Sequence, residues 1–303
     1  MDYKKILRSQ SLRFKILEML QWIPDKWMLS MQYRIKHGRP LNLKNPKRFT
    51  EWVQWYKINY RNPLMQQCVD KYAVRKYVES KGLGHLLVPL LGVYENAFDI
   101  DLNSLPDKFV MKASNGSGGQ DVVFVTDKSK VDWQATCAHI NERLNLKKFD
   151  GGREWAYTGI SHPVIIVEEM LYEDERGLTD WKFCCANGKP HILVIDADRF
   201  IRHVRNFYTM DWKFYDVATD CDSAGDRFPK PENWEEIKAV AAKLSEDFPF
   251  VRVDLYNIRG RIYFGELTFY PMSGYVNFDP DNFDEYLGSF WEGMKDNPKI
   301  HNY

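Results

Sequence analysis

The stretch VRVDLYNIRGRIYFGELTF, residues 251–269, places Asp254 and Glu266 on either side of an Arg-Gly turn. β-Branched and aromatic residues flank the turn on both sides, as in a hairpin. A three-residue loop, Ile258 to Gly260, would set position 257 against 261 and gather Arg252, Asp254, Tyr256, Phe264, Glu266 and Thr268 on one face. Arg252 would then face Glu266, while Val251, Val253, Leu255, Tyr263 and Leu267 take the opposite, mostly apolar face. Carboxylates this close repel unless something positive joins them. Mg2+, held by one or two carboxylates and completed by phosphate oxygens, would do so. A solvated Arg/Asp/Glu surface would use the same residues to no chemical end.

A second stretch, DKFVMKASNGSGGQDVVFV, reads as strand, loop and strand, with Asn115, Gly116, Ser117, Gly118 and Gly119 in the loop. Glycines let backbone N–H groups approach an anion closely, and Lys112 just before them adds a point charge, which together make a phosphate cradle. No G-K-[ST] follows, and the loop does not open a helix, so neither a Walker A loop nor a dinucleotide fingerprint is present. An ordinary hairpin loop is the plain alternative.

The elements that must hold these residues divide the chain in two. Up to about residue 84 it reads as helical: a basic amphipathic helix from Tyr3 to about Trp22, a second helix from near Phe49, and a third from near Gln66 to Gly82. The first sixty residues hold thirteen Lys/Arg against four Asp/Glu, although the whole chain balances at 42 of each. Residues 1–22 suit a membrane surface or a partner; a helix packed on the body with its basic face in water is the favoured reading. Beyond residue 85 short strand-like runs dominate, with helices around Lys130–Leu146 and Asn233–Phe248, a pattern of α+β lobes. At 303 residues and 44% hydrophobic, the chain can bury one large core or two smaller ones. Five cysteines without C-x-x-C spacing, and no apolar run near twenty residues, fit a cytoplasmic protein that is not exported. Zero net charge and the lack of a reader motif speak against nucleic acid as a partner.

Taken in order, DKYAVR, FVMKASNGSGG, VIIVEEML, DWKF, VRVDLY and GELTF resemble the ATP-grasp fold, and within it the TupA-like ATP-grasp proteins found among polysaccharide-biosynthesis proteins. The resemblance covers roughly residues 30 to 290. It implies an α+β ATP-grasp fold in which two α+β lobes grip ATP behind a basic helical N-terminal region. The divisions would be residues 1–84 for that region, 85–167 for the lid subdomain and 168–303 for the subdomain with the metal site.

By the same resemblance Lys71 and Lys112 are phosphate-binding lysines, and Asn115, Gly116, Ser117, Gly118 and Gly119 close over the phosphates. Glu168, Glu169, Met170 and Leu171 form the hinge, where the backbone of Glu169 and Leu171 meets adenine, and Glu175 meets the ribose. Lys182 is a further phosphate contact with a catalytic role, Asp254, Glu266 and Thr268 are Mg2+ ligands, and Arg252 neutralises charge that develops during transfer. Many ATP-grasp enzymes have Glu-x-Asn where this chain has Glu266, Leu267 and Thr268, and a hydroxyl is the weaker donor for a second metal. The usual N-terminal Rossmann-like lobe is not evident; basic helices stand in its place.

The activity implied is that of an ATP- and Mg2+-dependent carboxylate–amine ligase working through an acyl phosphate. Its partners would be an acidic sugar or polysaccharide precursor and an amine or amino acid, in cell-surface polysaccharide or capsule biosynthesis. Arg199, Arg202, His203, Arg205, Tyr208 and Trp212 mix cations and aromatic faces suited to such an acceptor, and Ser273 and Gly274 in PMSGY follow the metal strand directly. The same site would serve a sugar or small-molecule kinase. A non-catalytic ATP-binding scaffold would retain nucleotide affinity but not turnover, and the presence of both Asp254 and Glu266 speaks against it. The single D-x-D, Asp196 to Asp198, is too common a pattern to indicate a glycosyltransferase.

Overall fold

Two antiparallel sheets, each over its own apolar core, organise the computed structural model, which describes residues 10–116, 121–146 and 151–301. Helices α1 (Gln10–Met19), α2 (Asp25–His37), α3 (Phe49–Asn59), α4 (Pro63–Val69) and α5 (Val74–Ser80) come first. The smaller sheet follows, formed by β1 (Leu90–Tyr94), β2 (Phe109–Ala113), β3 (Val122–Val125) and β4 (Ile165–Glu169) in the order β1-β4-β2-β3. Helix α6 (Trp133–Asn145), capped by the Asp132 carboxylate on the Ala135 N–H, packs Cys137, Ile140 and Leu144 in one core with Phe109, Met111 and Val167. Strand alternation then sends Lys112 to the other face, where Lys112 lies opposite Ile166 and Val110 opposite Glu168.

The larger sheet contains β5 (Asp180–Ala186), β6 (Lys189–Ala197), β7 (Val204–Thr209), β8 (Phe214–Tyr215), β9 (Phe250–Ile258) and β10 (Arg261–Thr268), ordered β10-β9-β5-β6-β7-β8. Helix α7 (Trp234–Ser245) covers one face, burying Ile237, Ala241 and Leu244 with Phe183, Leu193, Ile195, Val251, Val253 and Leu255. Lys182, Asp196, Arg205, Arg252 and Asp254 share the other face. Helices α3 and α8 (Asn282–Ser289) pack together, and a short α9 (Pro298–His301) ends the described chain. Among the described residues no helix is long and apolar enough to cross a membrane.

The β9–β10 hairpin departs from the expected register. Its turn has two residues, Arg259 and Gly260, both at positive φ (52° and 83°), so Ile258 pairs with Arg261. The strands run in step to Leu255 opposite Phe264, and then an extra residue, Gly265, shifts the pairing so that Glu266 faces Asp254 and Thr268 faces Arg252. Arg252 therefore lies across from Thr268 and not from Glu266. Phe264 joins the face of Leu255 and is buried, and Tyr263 joins that of Tyr256, an exchange of the two faces expected for them. Without the bulge Glu266 would point into the apolar layer, because a one-residue slip turns every side chain over.

The helix expected from Gln66 to Gly82 is broken. Asp70 accepts the N–H groups of Tyr72 and Ala73 (2.8 Å each) and starts α5 afresh, leaving Lys71 in the corner between α4 and α5. Of the expected helix at Tyr3–Trp22, residues 1–9 lie outside the described residues, and α1 covers Gln10–Met19.

A Cβ on Gly265 would come 2.9 Å from the Asp254 carbonyl oxygen. Gly265→Ala is therefore expected to lower the unfolding free energy by about 1–3 kcal/mol in a urea titration. An unchanged midpoint would show that the bulge accommodates a side chain.

Candidate active site

The bulge builds a cluster. Arg252 donates to Asp254 through both arms, Nε to Oδ1 at 2.7 Å and Nη2 to Oδ2 at 2.6 Å, and its Nη2 also reaches Thr268 Oγ1 at 3.0 Å and Glu266 Oε1 at 3.4 Å. The Thr268 hydroxyl donates to Glu266 Oε1 at 3.1 Å. From β5, opposite Asp254, Lys182 sends Nζ to Asp196 Oδ2 at 2.6 Å, with Asp254 Oδ2 4.0 Å away. Burial pushes the Asp254 carboxyl up to about 6 despite Arg252 and Lys182. Glu266 keeps 51% of its side chain exposed at the lip. There the penalty of its surroundings is outweighed by Arg252, Lys71 and Lys182, and its pKa falls below the usual value.

This donor set fits Mg2+ in one particular way. Asp254 is a carboxylate whose burial the protein's own cations do not fully offset, so a hard cation beside it would be stabilised. Among the described residues no three His, Cys, Asp or Glu side chains converge to hold a metal by themselves. Two carboxylates and a hydroxyl would leave the remaining positions to water and to phosphate oxygens, as Mg2+ prefers.

Asp196, set aside in the sequence as part of a common pattern, lies at the centre of the charged face. Its buried carboxylate accepts from Lys182 and from Arg205 Nε at 2.7 Å, with Arg199 Nη2 3.9 Å away. His203 Nε2 lies 3.3 Å from Asp196 Oδ1 without hydrogen-bond alignment, and its Nδ1 is 3.2 Å from Cys221 Sγ. Burial would raise the Asp196 carboxyl, but Lys182 and Arg205 hold it well below the usual carboxylate range.

The cations expected to meet an acceptor are already paired: Arg205 also with Asp220 at 2.5 Å, Arg199 with Asp180 at 2.8 Å, and Arg202 with Asp222. The aromatic half of that segment lies on the far side. Trp212 stacks on Tyr208 at 4.8 Å and meets Trp234 of α7 edge-on, so these rings belong to the layer behind the sheet.

On the smaller sheet Lys112 Nζ reaches Glu168 Oε2 at 2.6 Å, and Arg75 Nη1 reaches Glu168 Oε1 at 3.2 Å. The Glu168 side chain is thus the partner of the strand lysine. Lys71 donates its N–H to Ser114 O at 2.9 Å and its Nζ to Gly116 O. Asn115 is buried, its amide donating to Leu144 O at 3.1 Å, which fastens the root of the glycine loop to α6. Ser117, Gly118 and Gly119 lie outside the described residues. The Glu169 N–H donates to Pro89 O at 3.1 Å, and half-buried Met170 and Leu171 follow the strand. Glu175 is exposed, whereas Glu173, which the sequence did not single out, accepts the Thr179 N–H at 2.7 Å, and burial raises its pKa.

Ser273 and Gly274 sit in a strained turn. Met272, Ser273 and Gly274 have φ of 49°, 55° and 66°, a left-handed run that non-glycine residues avoid. Fully buried Lys57 holds it, donating to Ser273 O at 3.0 Å, Ser273 Oγ at 2.9 Å and Gly152 O at 2.8 Å, and Gln54 adds a bond to Ser273 O at 2.9 Å. The strain brings Met272 Sδ to 3.5 Å from Arg205 Nη1 and closes a small cleft lined by Lys182, Asp196, Arg205, Arg252 and Met272. Lys57 carries no sequence signal of its own; α3 read simply as a helix.

The family model described as TupA-like ATPgrasp matches residues 51–291. The chain belongs to the TupA-like ATP-grasp family. No curated protein matches the sequence. Among solved structures it is similar to a D-alanine–D-alanine ligase from Bacillus anthracis complexed with ATP, at 15% identity and a TM-score of 0.40 over 66% of this chain and 53% of that one. It is similar also to the ligase of the same name from Helicobacter pylori, at 14% identity and a TM-score of 0.45 over 84% and 68% of the two chains. A RimK domain ATP-grasp protein from Sphaerobacter thermophilus matches at 11% identity and a TM-score of 0.42 over 74% and 67%. The chain spans about half the length of the Bacillus anthracis ligase. The two sheets and this membership agree on an α+β ATP-grasp fold.

Asp196→Ala is expected to cost about 3–5 kcal/mol of stability in urea unfolding at neutral pH, because two buried cations lose their shared partner. The native Asp196 carboxyl lies below its unfolded value, so its contribution is complete above about pH 4 and is lost as the pH falls through the native value. Stability curves of wild type and Asp196→Asn should therefore approach each other in acid; a constant gap would assign the effect to packing.

Proposed function

We propose that the protein is an ATP-dependent ligase that joins a carboxylate to an amine. The reading is supported by family membership and by one observation above all: Arg252 gathers Asp254, Glu266 and Thr268 within 3.4 Å on one sheet face, with Lys182 Nζ 4.0 Å from Asp254 Oδ2. ATP would supply the γ-phosphate, and Mg2+, when bound, would offset the negative charge of the phosphates during transfer. Asp254, Glu266 and Thr268 would hold the metal, and Lys71, Lys112 and Lys182 would bind and orient the phosphates.

The acid's carboxylate oxygen takes the γ-phosphate, ADP leaves, the amine attacks the acyl carbon, and phosphate departs with the former carboxylate oxygen. Acid, amine and ATP become amide, ADP and phosphate. Arg252 Nη2, which lies between Asp254, Glu266 and Thr268, would stabilise the oxyanion of the second step. Exclusion of water matters most, since an acyl phosphate hydrolyses readily.

For the acceptor we infer an acidic sugar of a cell-surface polysaccharide or capsule precursor, with an amino acid or amine as second substrate, handled in the cytoplasm. Family membership is the support for this class. The pairing of Arg199, Arg202 and Arg205 with carboxylates favours a second reading, a kinase for a neutral sugar hydroxyl, because an anionic acceptor would have to displace those partners.

The test is ADP release with Mg2+-ATP, pooled uronic acids and pooled amino acids, with products weighed by mass spectrometry. Release that needs both an acid and an amine, a product one water lighter than their sum, and a fall of about 100-fold or more in Asp254→Ala and Glu266→Ala are expected. A stable phosphoester would establish the kinase, and ATP binding without turnover a scaffold.

A further inference from the structure

A helix on a protein surface ordinarily buries one stripe and presents polar residues to water. Helix α2 buries Met28, Leu29 and Tyr33, but its outward stripe is Trp27, Met31 and Ile35, one turn apart and 70%, 41% and 44% exposed. Trp22, in the turn leading into α2, is 79% exposed. Scattered apolar residues in water need no explanation; a contiguous run with two indoles does.

The stripe is preorganised. Arg153, at a φ of 56°, donates to the carbonyls of Leu20, Gln21 and Ile23 at 3.1–3.3 Å and clamps the turn between α1 and α2. At the other end Gly38 closes α2 in a left-handed conformation, with its N–H on Arg34 O at 2.9 Å. Its charge is one-sided. Lys26 and Arg34 are exposed on the same helix, and its one carboxylate, Asp25, is bound by Arg61 at 3.0 Å and approached by Arg153 at 3.5 Å.

We propose that α2 and the turn before it dock on an anionic lipid surface, with Trp22 and Trp27 at headgroup depth, Met31 and Ile35 against the acyl boundary, and Lys26 and Arg34 on lipid phosphates. Charge complementarity selects this occupant: indoles favour the membrane–water interface, and flanking cations add attraction to anionic headgroups. The surface is separate from the charged face of the larger sheet, so the inference stands apart from the reaction.

Sedimentation of the full chain with vesicles of phosphatidylcholine and about one-third phosphatidylglycerol tests it. Binding is expected to weaken with salt, and to fall by about tenfold or more in the triple variant Trp27→Gln, Met31→Gln, Ile35→Gln, with circular dichroism checking that the variant is folded. Lys26→Glu with Arg34→Glu should remove the preference over pure phosphatidylcholine. The proposal is overturned if wild type stays in the supernatant or the triple variant binds equally. It is overturned too if sedimentation velocity finds a dimer that the triple variant abolishes, since a second copy then covers the stripe.

Discussion

Charges taken out of water on one face of a sheet must neutralise each other, and every feature of the larger sheet's site follows from how that is done. Asp196 answers Lys182 and Arg205, Asp180 answers Arg199, and Asp254 answers Arg252. Removing a member of the buried pairs around Asp196 or Asp254 strands a partner at a cost well above that of a surface pair. Asp254, although bound by both arms of Arg252, keeps a raised pKa because its burial outweighs the two cations beside it. A hard cation beside Asp254 would be stabilised by that buried charge.

Conformational strain is concentrated beside that point. The left-handed run from Met272 to Gly274 persists because Lys57 and Gln54, both from α3, saturate its carbonyls from behind. A buried ammonium that donates to three oxygens, with the Glu154 carboxylate 3.7 Å away, is a strong anchor, since its hydrogen bonds are charge-assisted. Strain of this kind is held where surrounding structure over-determines it, and here that structure is a helix remote in sequence.

How far the site could be read from sequence depended on the range of the interaction. Lys112, Asp254 and Glu266 stood out because strand alternation and glycine content are local signals. The register of β9 and β10 did not, since a two-residue turn and a bulge at Gly265 differ from a three-residue loop only in how strands settle against each other. Asp196 and Lys57 were invisible for a related reason: each acquires its role from partners brought by other elements, and VIDADRF or WYKINY alone names none of them. The break between α4 and α5 came from Asp70 accepting two N–H groups, a capping signal inside a run whose apolar period continues unbroken. Helix α2, with Pro24 before it and Gly38 after it, had legible ends that the expected outline passed over.

That break has a consequence for the molecule's divisibility. The Asp70 carboxylate that holds the turn before α5 also receives the Ser114 hydroxyl at 2.7 Å, and Lys71 next to it holds Ser114 and Gly116. The early helices thereby grip the root of the glycine loop, while α3, through Lys57, grips the far side of the cleft. A shortened chain starting at the first strand would lose Phe49, Trp52, Tyr56 and Tyr77 from the core they share with the larger sheet, and with them a jaw of the vice. In this protein the leading helices are masonry, and neither sheet can be lifted out as a working module.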